Sequence, residues 1–198
     1  RLFYSSGQWA SNTLWMGVPA QKCPLDLWVY QEILYELKPE LIIETGTCFG
    51  GSALFFAHMC DLIRNGKVIT IDINRREGRP THPRLEYLTG SSIDPCIVSL
   101  LIGEARNAKT VLVVLDSDHS KDYVLREMRA YAQFVTPGSY MIVEDTDVNG
   151  HPIMPEHGPG PAEAVTEFLL AHPEFEVDTL REKFMLTQNP GGYLRRKP

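Results

Sequence analysis

The stretch Leu41-Ile42-Ile43-Glu44-Thr45-Gly46-Thr47-Cys48-Phe49-Gly50-Gly51-Ser52 decides the fold. A short apolar run between Pro39 and a glycine reads as a strand buried on both faces. Gly46 permits a tight turn and close backbone approach to a ligand, and Gly50 or Gly51 permits close packing of a helix on the strand. That helix is expected from about Ser52 to Arg64, with Gly66 as its stop. The glycines are not spaced G-x-G-x-x-G, and no Gly-Lys-Ser/Thr follows, so neither a dinucleotide site nor a Walker loop is expected.

The alternation of strand and helix continues outward on both sides. Upstream, Pro24 opens a helix with Leu27, Tyr30, Ile33, Leu34 and Leu37 at helical spacing, and Pro39 ends it. Downstream, Val68 to Asp72, Leu85 to Leu88, Thr110 to Leu115 and Ser139 to Val143 read as strands. Helices are expected from Asp94 to Arg106, from Lys121 to Phe134 and from Pro161, and 175–180 with 183–188 as an antiparallel pair. This order implies an α/β domain over 23–198 with a mostly parallel, seven-stranded sheet. Residues 1–22 stand apart: Phe3, Tyr4, Trp9 and Trp15 lie among Ser, Gly, Asn and Gln without a period, as in an aromatic-rich strap.

Composition narrows the function classes. The 198 residues carry 19 Lys and Arg against 25 Asp and Glu, a net charge of −6. With no basic stripe, the chain is a poor candidate for a nucleic-acid binder. No run approaches the ~20 apolar residues of a membrane span. Cys23, Cys48, Cys60 and Cys96 are scattered with no C-x-x-C pair, as for free thiols in a reducing, cytoplasmic setting.

In a parallel α/β sheet, ligands bind beyond the carboxyl ends of the strands. Acids stand at those ends here: Glu44, Asp72, Asp116 with His119 close behind, and the pair Glu144-Asp145. Asp72 can accept hydrogen bonds from two ribose hydroxyls, and an acidic first turn favours an uncharged or cationic nucleoside, which S-adenosylmethionine is. The fourth and fifth strands are expected to be neighbours, so their carboxylates can offer oxygen ligands to one hard cation such as Mg²⁺. The spacing leaves open whether Asp116 or Asp118 is the ligand and which caps the next helix. His119 could stand beside the cation as a general base at neutral pH. The long loop from Thr146 to Pro161 reads as an acceptor-side lid.

Leu41 to Thr47, Gly90-Ser91-Ser92-Ile93-Asp94, Val113 to Ser120, Val143 to Thr146, Asn149 to Pro152 and Asn189 to Leu194 together resemble the cephalosporin-hydroxylase family. Its members include the methyltransferase of cephamycin methoxylation and macrolide-sugar O-methyltransferases. The resemblance implies a Rossmann-like class I methyltransferase fold, using S-adenosylmethionine and Mg²⁺ in natural-product or antibiotic biosynthesis. It implies Glu44, Gly46 and Asp72 at the cofactor and Ser92 near the adenine. The full expected cofactor set is Glu44, Gly46, Thr47, Gly51, Ser52, Asp72, Ser92 and Asp116. Asp116, Glu144 and Asp145 would hold the metal, and His119 would be the base. The expected partner is a small hydroxylated acceptor, a sugar among the candidates, and the expected assembly a homo-oligomer. An iron oxygenase is disfavoured because the pair His172-Pro173-Glu174 has no downstream His. A non-catalytic, cofactor-binding partner protein is the alternative, and the acid–histidine constellation argues against it.

Overall fold

The computed structural model describes residues 2–198; Arg1, the first residue of the expected strap, lies outside them. In chain order the elements are α1 (Leu2–Ser5), α2 (Gln8–Ser11), β1 (Leu14–Trp15), β2 (Val18–Pro19), α3 (Pro24–Leu37), β3 (Leu41–Thr45), α4 (Gly51–Leu62), β4 (Lys67–Asp72) and β5 (Leu85–Thr89). There follow α5 (Pro95–Ala105), β6 (Val111–Leu115), α6 (Lys121–Tyr131), β7 (Tyr140–Val143), α7 (Pro161–Ala171), β8 (Phe175–Val177) and β9 (Tyr193–Arg196). No helix among the described residues is long and apolar enough to cross a membrane.

Seven strands form one sheet in the order β5-β4-β3-β6-β7-β9-β8. The first five run parallel, and β9 lies antiparallel between β7 and β8. The chain crosses from one half of the sheet to the other between β3 and β6, which pair from Leu41↔Val111 to Thr45↔Leu115. That switch point opens a crevice at the carboxyl ends.

Successive strand residues face opposite sides, and both sides are covered. Ile43, Ile69, Val113 and Met141 pack with Leu101 of α5, Met128 and Tyr131 of α6 and Phe168 of α7. Ile42, Val68, Leu112 and Ile142 pack on the other side with Ile33 and Leu34 of α3 and Phe55 and Phe56 of α4. Full burial of each such side chain stabilises the fold by about 1.5–3 kcal/mol before conformational entropy is counted. This double cover is why the strands read as unbroken apolar runs rather than as alternations.

Local signals place the helix ends. Pro24 starts α3, and Lys38, ahead of Pro39, leaves it in the left-handed region at φ 47°. Asp94 caps α5 by accepting from the Cys96 N–H at 2.7 Å.

The last strand differs from expectation. Residues 183–188 are not a strand: the Asp178 carboxylate accepts from the Leu180 N–H and opens a 3-10 helix over Thr179–Glu182. Met185 stays 96% exposed, and the antiparallel partner of β8 is Tyr193–Arg196, which buries Tyr193 and Leu194. The apolar content of Phe184-Met185-Leu186 suggested a strand, but the sheet position next to β7 goes to Tyr193–Arg196, where the Tyr193 hydroxyl also donates to the buried Asp26.

The N-terminal segment packs on α4. The hairpin β1–β2 sets the Trp15 ring edge-on to Phe55 at 4.9 Å, and the Trp15 indole N–H reaches His58 Nδ1 at 2.9 Å.

Candidate active site

The first turn passes against the end of β6. A Cβ at Gly46 would lie 1.7 Å from the Asp116 carbonyl oxygen, so only glycine, here at φ 85°, fits. Gly51 likewise lies under the carbonyl of Pro19, where a Cβ would come within 2.3 Å of the oxygen. These contacts bring the ends of β3, β4 and β6 and the N-terminal segment around a cavity of about 490 Å³.

At one part of the cavity, Asp72 is held by its neighbours. Its Oδ2 accepts from the Cys48 N–H at 2.9 Å and from Arg79 Nη2 at 2.8 Å, and its Oδ1 accepts from the Asn74 N–H at 2.8 Å. Ser92, 3% exposed, shares the Tyr123 hydroxyl with Ser91. Gly46, Asp72, Ser92 and Asp116 all line the cavity.

The other expected cofactor residues lie beneath it. Glu44 is closed to solvent, its Oε2 accepts from Thr70 Oγ1 at 2.6 Å, and its Oε1 has no hydrogen-bond partner. Burial lifts its pKa to about 7, against the pull of Lys22, Ser52 and Thr70. Thr47 shares the Thr70 hydroxyl at 2.7 Å, and Ser52 is buried at the start of α4. Glu44, Thr47, Gly51 and Ser52 therefore support the turn from below and do not line the cavity.

Three groups that could hold a metal meet at the ends of β6 and β7. One ligand atom each from Asp116, His119 and Asp145 lies within 4.8 Å of the others, and His119 Nε2 is 3.2 Å from Asp145 Oδ2. His119 is thus within the group and not only beside it. Burial and the Asp116 charge raise the Asp145 pKa, and His119 opposes them. Asp118 instead accepts from the Ser120 N–H at 2.8 Å, ahead of α6.

Glu144 turns elsewhere. It is 3% exposed, and its Oε1 stands 2.9 Å from Lys22 Nζ. The same ammonium contacts Asp116 Oδ2. Burial opposes the Lys22 charge, but Asp116, Glu144 and Glu44 together raise its pKa. Burial drives the Glu144 pKa well up, with Lys22 pulling the other way.

Lys22 and Asn189 escaped the sequence reading. Asp145 sits at φ 53°, a conformation uncommon outside glycine. Its N–H donates to Asn189 Oδ1 at 3.0 Å, and Asn189 Nδ2 donates to Tyr30 OH at 2.8 Å. The segment carrying Asn189 is tied to α3, because the Gln188 N–H and the Tyr193 hydroxyl both donate to Asp26. The Asn189-Pro190-Gly191-Gly192 motif was visible, but nothing in it announces a partner 44 residues away.

The loop expected as a lid is pinned at α7. His151 and Asn149 both reach Glu163 Oε1 at 2.9 Å, and Glu163 Oε2 accepts from the Gly160 N–H. Although burial pushes the Glu163 carboxyl up, these partners bring it down to about 2. The cavity lining takes no residue from 146–161; the strap supplies Trp9 and Gln21 instead.

Comparison with known proteins gives concordant findings. The family model described as "Rhamnosyl O-methyltransferase/CmcI" matches residues 7–197. The chain is 39% identical over 205 residues to a rhamnosyl O-methyltransferase of Mycobacterium leprae, covering 98% of this chain and 87% of that one. A solved CmcI structure with Mg and SAM superposes with a TM-score of 0.71 at 24% identity, over 95% of this chain and 78% of that one. The MycE methyltransferase of mycinamycin biosynthesis, solved with Mg, SAH and mycinamycin VI, gives 0.53 at 20% identity, over 72% and 40%. The two structures share this fold, a class I methyltransferase sheet with a C-terminal antiparallel pair.

Proposed function

We propose that this chain, which belongs to the rhamnosyl O-methyltransferase/CmcI family and is an O-methyltransferase by that membership, moves the methyl group of S-adenosylmethionine onto a sugar hydroxyl of a small-molecule acceptor beside a divalent cation. One observation carries the reading. A single cavity is lined both by the ribose-type acid Asp72 and by the Asp116, His119 and Asp145 group. The names of the relatives, a rhamnosyl methyltransferase and a macrolide-pathway methyltransferase, favour a sugar among hydroxylated acceptors.

The residues fit both groups. Two carboxylates and an imidazole within 4.8 Å make a donor set for a hard divalent cation such as Mg²⁺. Asp116 and Asp145 are the proposed carboxylate ligands, whereas Glu144, expected as a third, faces Lys22 outside this group. The cation, when bound, supplies positive charge that positions the acceptor hydroxyl and makes it more acidic. S-adenosylmethionine, when bound, supplies the methyl group and a neutral thioether as leaving group. Asp72 Oδ1, which takes only the Asn74 N–H, keeps an acceptor site for a ribose hydroxyl, Gly46 lets the cofactor approach the backbone, and Ser92 stands at the adenine end. His119 takes the proton of the attacking hydroxyl on an imidazole nitrogen, and the Asp145 carboxylate stabilises the imidazolium that forms. The chain's own contribution is orientation and electrostatics. The four free cysteines fit a reducing compartment, so the reading extends to the cytoplasm.

The test is methyl transfer from S-adenosylmethionine to a panel of rhamnosides, other glycosides and phenols, with the product located by NMR. An O-methyl sugar is the expected product. Turnover of phenols alone would replace the sugar assignment, and no turnover of any acceptor would remove the reading.

A further inference from the structure

We propose that Trp9 and Gln21 form the acceptor wall of the cavity and select a sugar ring by its C–H face and one hydroxyl, a role that rests on the methyl-transfer reading above. Both residues come from the N-terminal segment and line the cavity. What each can offer a ligand is narrow. The Trp9 indole N–H donates to the Tyr4 carbonyl at 3.2 Å, so its one polar group is engaged. The Tyr4 ring stacks on the indole at 5.2 Å and 14°, which fixes its plane. Trp9 therefore presents only carbon surface to the cavity. Gln21 is the complement. Its Nε2 donates to the Ala10 carbonyl at 3.2 Å, which leaves Oε1 to accept from a ligand hydroxyl. A group with a bare carbon face and a hydroxyl on its edge satisfies both, and a pyranose ring is such a group.

The chain around the pair leads to the acids at the ends of β6 and β7. Gln21 precedes Lys22, whose ammonium reaches Asp116 and Glu144. Tyr4 stacks on the Trp9 indole. The Tyr4 hydroxyl also donates to Met154 Sδ at 2.8 Å, tying α1 to the loop after β7. Trp9 and Gln21 thus line the same cavity as Asp116, His119 and Asp145, where the accepting hydroxyl must lie. The carbon face would gain from burial and ring contact, whereas a monophenol, whose one hydroxyl is the attacking group, gains from Trp9 and has no second hydroxyl for Gln21.

The experiment uses the full chain with S-adenosylmethionine, Mg²⁺ and methyl α-L-rhamnoside. Trp9→Ala should raise the acceptor KM about tenfold, with kcat and the affinity for S-adenosylhomocysteine unchanged. Trp9→Phe should recover most of the loss, and Gln21→Ala should raise KM for the sugar but not for a phenol. An unchanged KM in Trp9→Ala would overturn the proposal, as would a loss of S-adenosylhomocysteine affinity equal to the loss in KM. Calorimetric titration of the rhamnoside into chain saturated with S-adenosylhomocysteine separates this proposal from the reading it rests on. Rhamnoside binding that weakens in Trp9→Ala, in a chain that methylates no sugar, would keep the wall and remove the transfer. Methyl transfer that ignores both substitutions would keep the transfer and remove the wall. If Trp9→Ala does not fold, Gln21→Ala decides by the same sugar-to-phenol comparison.

Discussion

Lys22 Nζ stands 2.9 Å from Glu144 Oε1, and both side chains are closed to solvent, at 2% and 3% exposure. The pair joins residues 122 positions apart and places a fixed positive charge among Asp116, Glu144 and Glu44. Without it, three buried or half-buried acids beside one another would repel more strongly and bind protons more tightly still. Lys22 is therefore a built-in counter-ion of the site, delivered by the strap that also carries Trp9 and Gln21.

Removing that charge should be costly. Breaking a buried pair from one side typically costs about 3–5 kcal/mol. Lys22→Met should accordingly lower Tm by roughly 10 °C in a chain of this size, and Lys22→Arg by much less. Differential scanning calorimetry without added metal reads this directly. A Met variant as stable as the parent would show that the pair contributes nothing net.

Glu44 makes a pH prediction. Burial lifts its pKa to about 7 from the ordinary 4.5, so the folded chain holds this proton more tightly than the unfolded chain. Its contribution to stability is present below pH 4.5, declines as pH rises towards 7 and is level above that. Glu44→Gln should flatten the decline in urea-unfolding free energy between pH 5 and pH 8 by an amount on the order of 2–3 kcal/mol. Because Glu44 lies below the turn and not on the cavity, S-adenosylhomocysteine affinity should change little. Parallel pH slopes in parent and variant would contradict the assignment.

Asn189 predicts a longer-range effect on the metal. Asn189→Ala removes the acceptor for the Asp145 N–H, a buried loss of about 1–3 kcal/mol, and frees the left-handed turn that aims the carboxylate. Mn²⁺ affinity by calorimetry should weaken severalfold, with S-adenosylhomocysteine binding retained. Unchanged Mn²⁺ binding would make Asn189 a stability residue alone.

His119 divides the chemistry from the binding. His119→Ala should lower kcat by about 10²- to 10⁴-fold, the range of a lost general base, with little change in S-adenosylhomocysteine affinity. His119 is also within the metal group. A parallel loss of Mn²⁺ affinity would therefore reassign it as a ligand.

Much of this was legible in the chain, and the reasons for the rest are physical. The runs at 41–45 and 111–115 announced themselves because strands covered on both faces need unbroken apolar sequence. The strand-end rule found Asp72, Asp116 and Asp145, since a parallel sheet gathers its carboxyl ends on one edge. It did not say which way each acid points. Glu144 and Asp145 are neighbours in sequence, yet one turns to Lys22 and the other to His119, as successive side chains at a strand end diverge. Lys22 and Asn189 were invisible because their roles depend on partners set beside them by the fold. The final strand was misplaced because 183–188 and 193–196 are both plausible strands locally, and only the pairing with β7 chooses between them.

Asp116 and Asp145 are proposed to hold a divalent cation at the accepting hydroxyl, with His119 beside it as the base. The most direct measurement is the initial rate of methyl transfer to the preferred glycoside after chelation, followed by Mg²⁺ titration. The account predicts a rate lower by about 10²-fold or more in the chelator, full recovery with Mg²⁺, and no recovery in Asp116→Ala. Full activity in the chelator, with S-adenosylmethionine consumed and sugar methylated as before, would contradict it.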